Sequence, residues 1–195
     1  MPIIKRWFRD KVTRKNKTDQ GFSLVEILVG IVILGVLLTA IYSLFASANK
    51  SQISQDLEVE MQQNARSALD FIVRELRNMS SLNCMENTNT TCGTGGDKIG
   101  FTSMNDSNIR IFSWSSSDYI LRFSSAALGA EDRQPLADHI TAVSFSGFDS
   151  NNNSTSLIGN VQRIDITLTA RTSKTDPNTQ GYRSYSTTTS IKRRN

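Results

Sequence analysis

Histidine occurs once in these 195 residues, cysteine twice and proline three times. Each shortage closes off a class of function. Two cysteines and the distant His139 cannot supply the four soft ligands of a structural metal site. The single histidine stands beside Asp138 with no recognisable nucleophile motif nearby, so an acid–base triad finds no support. Gly93-Thr94-Gly95-Gly96-Asp97-Lys98 lacks the spacing of a phosphate loop and follows no clear strand, so it reads as a loop. Asp149, Asn151 and Asn153 begin like a calcium loop. Ser154 replaces the glycine at position six and Asn160 replaces the closing glutamate, so a polar turn is the better reading. No proline interrupts the chain between Pro2 and Pro135, which leaves a long uninterrupted helix open.

Charge is also scarce where it would matter most. Ile27 to Ala46 contains no Lys, Arg, Asp or Pro, and as a helix its length matches the roughly 30 Å hydrocarbon core of a bilayer. The preceding residues are the opposite. Residues 1–21 carry Lys5, Arg6, Arg9, Lys11, Arg14, Lys15 and Lys17 against Asp10 and Asp19, a balance of about +5 within the chain's net +4. The remainder is therefore close to neutral, and the basic isoelectric point does not indicate a nucleic-acid partner. A basic segment beside an apolar one orients a single span with its N-terminus in the cytoplasm. The rest of the chain is then expected in the periplasm or outside.

An ordinary secretory signal is cut after its apolar region. Here the candidate cleavage point, Gly21, precedes that region, so the apolar segment would be retained. One carboxylate, Glu26, lies at its start in Gly21-Phe22-Ser23-Leu24-Val25-Glu26. Placing a charged side chain within a membrane helix costs about 2.5–3.5 kcal/mol on insertion scales, and no cation in the apolar run can pair with it. The cation would come from another chain, or the carboxyl would be neutral or lie near the headgroups. Cleavage after Gly21 would create an amine on Phe22, about one helical turn from Glu26, open to pairing within or between chains.

Helical periodicity continues past the apolar run. Ile53, Leu57, Met61, Ala65, Leu69, Ile72, Leu76 and Met79 recur every three or four residues, predicting one helix from about 22 to 79 whose second half packs by an apolar stripe. Asn83 to Gly96 reads as a polar loop. It carries Cys84 and Cys92, and in an exported domain these are expected to form a disulfide closing a short loop. Strand signals follow: Asn108–Trp114 and Asp118–Ser124 as a hairpin, Thr141–Phe148, Val161–Thr172 and Gly181–Lys192. Their alternation of polar and apolar residues suits an antiparallel sheet lying on the helix. The expected fold class is α+β.

The N-terminal residues resemble a type IV prepilin: a basic leader, Gly21, then Phe22-Ser23-Leu24-Val25-Glu26 and a long apolar helix. The resemblance implies a type IV pilin-like fold and cleavage after Gly21 by a prepilin peptidase that also N-methylates Phe22. It further implies that Glu26 aids assembly into a filament. The implied division is a leader (1–21), a membrane-spanning and filament-core helix half (22–46), and an amphipathic helix half with a periplasmic β domain (47–195). Gln63–Asn78, Pro135–Phe145 and Thr187–Asn195 are similar to the corresponding stretches of PilW/GspJ-like minor pilins. Such subunits start or cap filaments and carry no enzymatic activity or cofactor. The implied partners are the peptidase, other minor and major pilins, the inner-membrane assembly platform, and lipid before assembly. The same features fit a minor pseudopilin of a type II secretion system. A membrane-anchored enzyme or binding protein is a third reading, for which the sequence offers no catalytic or ligand cluster.

Overall fold

The structure is a computed structural model, and it describes residues 21–85, 97–105, 108–125, 133–155 and 157–193. One helix, α1 (Leu24–Arg77), is followed by eight strands. These are β1 (Met79–Met85), β2 (Lys98–Ser103), β3 (Ile109–Ser115), β4 (Ile120–Ser124), β5 (Gln134–Ala137), β6 (Ile140–Phe148), β7 (Arg163–Arg171) and β8 (Ser184–Lys192). The fold is α+β, a long N-terminal helix packed against antiparallel sheet, in the type IV pilin-like arrangement. The chain divides into two compact units between Ala46 and Ser47.

In the first unit the described residues from Gly21 to Phe45 are all exposed. The segment is helical from Leu24 and has a mean hydropathy of 2.8 over its most apolar 18 residues, so it is long and apolar enough to cross a membrane. Its backbone hydrogen bonds are satisfied within the helix, as a lipid environment requires. A helix apolar on every face needs lipid or other protein around it.

In the second unit, Leu57, Met61, Ala65, Ala68, Leu69, Ile72 and Leu76 of α1 are buried. Two corrections to the sequence reading fall at the ends of this stripe. Ile53 is 43% exposed, while Ser54 beside it is 4% exposed, because the Ser54 hydroxyl donates to the buried carboxylate of Asp176 at 3.0 Å. At the other end α1 stops at Arg77, short of Met79. The Asn78 N–H bonds the Glu75 carbonyl in a tightened last turn, and the Asn78 carbonyl accepts the Met104 N–H. Met79 then begins β1, paired with Ser103.

The strands form two antiparallel sheets where the sequence suggested one. The first has the order β1-β2-β3-β4-β5 and the second β6-β7-β8. The hairpin expected around Ser115–Ser117 is present, with Ser115 paired to Ile120. Cys84 lies in β1 rather than in a loop and is 1% exposed. Phe71 of α1 meets Phe112 and Phe123 of the first sheet edge-on, with ring centroids 6.1 and 5.2 Å apart, the geometry aromatic quadrupoles favour. In β7, Ile164, Ile166, Leu168 and Ala170 are buried, and Arg163, Asp165, Thr167 and Thr169 between them are half-buried. That period of two sets one face of the second sheet into the same core.

Polar contacts hold α1 at its margins. Arg183 donates to Glu58 at 2.7 Å, the Asn64 amide donates to the Asp138 carbonyl at 2.7 Å, and Arg110 pairs with Glu75.

Candidate processing and assembly site

Gly21, Phe22 and Ser23 precede the helix in non-helical conformation. The Ser23 carbonyl accepts the N–H groups of Glu26 and Ile27, at 2.9 and 3.3 Å, and so starts the helical ladder. Phe22 is 77% exposed, and a Cβ built on Gly21 would meet nothing within 4 Å. Both residues of the Gly21–Phe22 peptide bond are exposed. Glu26 lies in the first helical turn, where the unpaired N–H groups favour a negative charge. No ion pair joins Glu26 to a described residue. Gly30 and Gly35 also have open space around a built Cβ, so no described residue uses their small size.

Residues 16–42 match the family described as the prokaryotic N-terminal methylation motif. The chain carries a prepilin-type N-terminus. The matched stretch contains Gly21, Phe22, Glu26 and most of the exposed apolar helix, and type IV pilin-like proteins in general share this motif and fold. No curated protein is significantly similar to the chain in sequence.

The other sequence candidates are scattered. His139 adopts a left-handed backbone (φ 59°) and, with Asp138, lines an open groove of about 590 Å³ against Asp56, Glu60, Gln63 and Asn64 of α1. No cluster of metal-ligating side chains occurs there or elsewhere among the described residues. Asp149 accepts the N–H groups of Asn151 and Asn153, both at 2.8 Å, which makes it the organiser of a polar turn. Cys84 is disulfide-bonded. Its expected partner Cys92 lies outside the described residues, as do Gly93–Gly96.

Two clusters had no signal in the sequence. In the first, Asp176 is fully buried. Its carboxylate accepts the Asn178 N–H at 2.8 Å, the Ser54 hydroxyl at 3.0 Å and the Arg183 guanidinium at 2.7 Å. The Asn178 N–H contributes most to holding this carboxyl below its ordinary range, with Ser54 and Arg183 adding to it and burial opposing. In the second, Arg171 lies between the rings of Tyr119 and Tyr182. Both clusters join residues far apart in the chain through loop conformations that local pattern does not encode.

Proposed function

We propose that this protein is a minor subunit of a type IV pilus, a structural component that helps to initiate or cap the filament. In this reading a prepilin peptidase removes residues 1–21 and methylates the new amine of Phe22. Residues 22–46 then anchor the chain in the bacterial inner membrane, with the second unit in the periplasm, until the chain is extracted into a filament. The exposed helix exchanges lipid for the helices of other pilins. No catalytic step or cofactor enters this role.

The observation that carries the reading is the methylation motif at the head of an exposed apolar helix, with Glu26 in its first turn and without a cation. The Phe22 amine exposed by cleavage supplies a matching positive charge one turn away. Pairing it with Glu26 of a neighbouring helix removes two charges from an apolar surround and fixes the axial register, since a slip of one turn unpairs both. The leader resemblance and the pilin-like fold support the same role, and they equally fit the pseudopilus of a type II secretion system. Deleting the gene separates the two, through loss of pili in one case and loss of secreted protein in the other.

Glu26→Ala tests the pairing. The variant is expected to insert and to be cleaved normally but to be depleted at least about tenfold from sheared filaments, the factor for a loss of about 1.4 kcal/mol. Recovery equal to wild type contradicts the role given to Glu26.

A further inference from the structure

We infer that Arg171, in cation–π contact with both Tyr119 and Tyr182, is the anchor for a carboxylate presented by another protein. Its guanidinium carbon stands 4.1 Å from the Tyr119 ring centroid and 4.6 Å from that of Tyr182. Both are within the range of a cation–π contact. The other sheet and loop arginines with a settled partner meet a carboxylate: Arg110 meets Glu75, Arg122 meets Asp118, Arg163 meets Asp165, and Arg183 meets Glu58 and Asp176. Arg171 has no carboxylate within ion-pair distance among the described residues, and its buried Nε makes no hydrogen bond. A guanidinium offers five donors in a planar fork, and ring contacts through its π face leave those in-plane donors for a ligand.

The backbone is arranged around this side chain. Arg171 ends β7, and its N–H donates to the His139 carbonyl at 2.8 Å. His139 and Tyr119 both adopt left-handed conformations, with φ of 59° and 58°, which are unfavourable for large side chains. The Tyr119 carbonyl in turn accepts the Ile140 N–H at 2.9 Å. Two left-handed turns thus meet at Arg171, one through its backbone and one through its side chain, and Tyr182, the other aromatic contact, is 53% exposed.

The surroundings select the class of ligand. Arg171 and its two tyrosines are not among the residues that line the groove beside His139. That groove brings Asp56, Glu60 and Asp138 nearby, and Glu60 also accepts from Ser173, two residues beyond Arg171. A phospholipid surface or nucleic acid binds through many phosphates at once, whereas three carboxylates and one cation meet here. A single carboxylate fits the fork of one arginine. Half-buried Arg171 and Tyr119 with exposed Tyr182 also have the composition of an interface hot spot. An Asp or Glu side chain on a partner protein meets all these conditions. The inference rests on the assembly reading only in expecting that partner among other pilins.

The test places a photoreactive benzoylphenylalanine at Tyr182 of the full-length chain in its own cells and maps the crosslinked peptide by mass spectrometry. The expected adduct joins a protein at a peptide containing Asp or Glu, and its yield falls about tenfold or more in Arg171→Gln. Arg171→Glu is equally depleted and is rescued when the mapped acid is replaced by Arg. That rescue separates recognition from a structural role for the stack, which no change in the partner would restore. No adduct, an adduct to lipid, a yield indifferent to Arg171, or failure of the charge swap overturns the inference. Failure while the chain still enters filaments leaves the assembly reading intact. Rescue on a partner outside any filament keeps the carboxylate anchor and removes the assembly reading.

Discussion

Replacing Ser54 with Ala should destabilise the second unit more than replacing its neighbour Ile53, although the hydrophobic pattern of the sequence predicts the reverse. The Ser54 hydroxyl is buried and donates to the fully buried Asp176 carboxylate at 3.0 Å. A hydrogen bond to a charged group contributes about 1.5–3 kcal/mol. Alanine is the better helix former by about 0.5 kcal/mol, so the net loss is about 1–2.5 kcal/mol. Ile53 is 43% exposed, and its truncation gives up only part of an isoleucine's burial while making a similar helix gain. Its net cost is under about 1 kcal/mol. For a unit of this size each kcal/mol shifts the melting point by about 2–4 °C. Ser54→Ala should therefore melt about 2–10 °C below wild type, and Ile53→Ala within about 4 °C of it. The fluorescence of Trp114 can report the transition in the full-length protein in detergent, because its indole N–H donates to the Ile140 carbonyl at 2.8 Å inside the folded unit. A larger fall for Ile53→Ala than for Ser54→Ala would refute the assignment of Ser54 as the first buried position of the helix.

Two further outcomes concern the same unit. The Asp176 carboxyl is held below its ordinary range, first by the Asn178 N–H, so its stabilising contribution is complete above the unfolded-state value of about 3.9 and is lost as pH falls through the folded value. The stability difference between wild type and Asp176→Asn, from urea titrations at pH 7 and near pH 3, should be larger at pH 7; a constant difference would contradict the assigned network. Non-reducing peptide mapping should show Cys84 joined to Cys92, and reduction should cost about 2–3 kcal/mol for a loop this short; two free thiols in exported protein would remove the pairing.

The helix and the strands β3, β4, β6, β7 and β8 were legible because their side chains alternate with the period of their own backbone. Ile164, Ile166, Leu168 and Ala170 announce a half-buried strand whatever surrounds them. β1 was not legible, since Met79-Ser80-Ser81-Leu82-Asn83-Cys84-Met85 has the composition of a loop. It becomes a strand only through pairing with β2, with register shifts after Met79 and Leu82 that break the alternation. The division into two sheets depends on which strand edges meet, and short-range pattern carries no such information. At the N-terminus the reverse holds. The residues from Gly21 to Glu26 are all exposed, so the residue types alone carry what the motif implies. Arg171 is the opposite case, ordinary in sequence and set apart only by the tertiary fold that brings Tyr119 and Tyr182 against its guanidinium.

In the proposed role the chain becomes a filament subunit by losing residues 1–21. Intact-mass and N-terminal peptide mass spectrometry of the protein recovered from membranes and from sheared filaments tests it directly. The predicted result is a chain beginning at N-methylated Phe22 in both fractions, with Gly21→Ala leaving only the uncleaved form in the membrane. Filament-borne protein that still begins at Met1, or a cut placed after the apolar helix, would contradict the account.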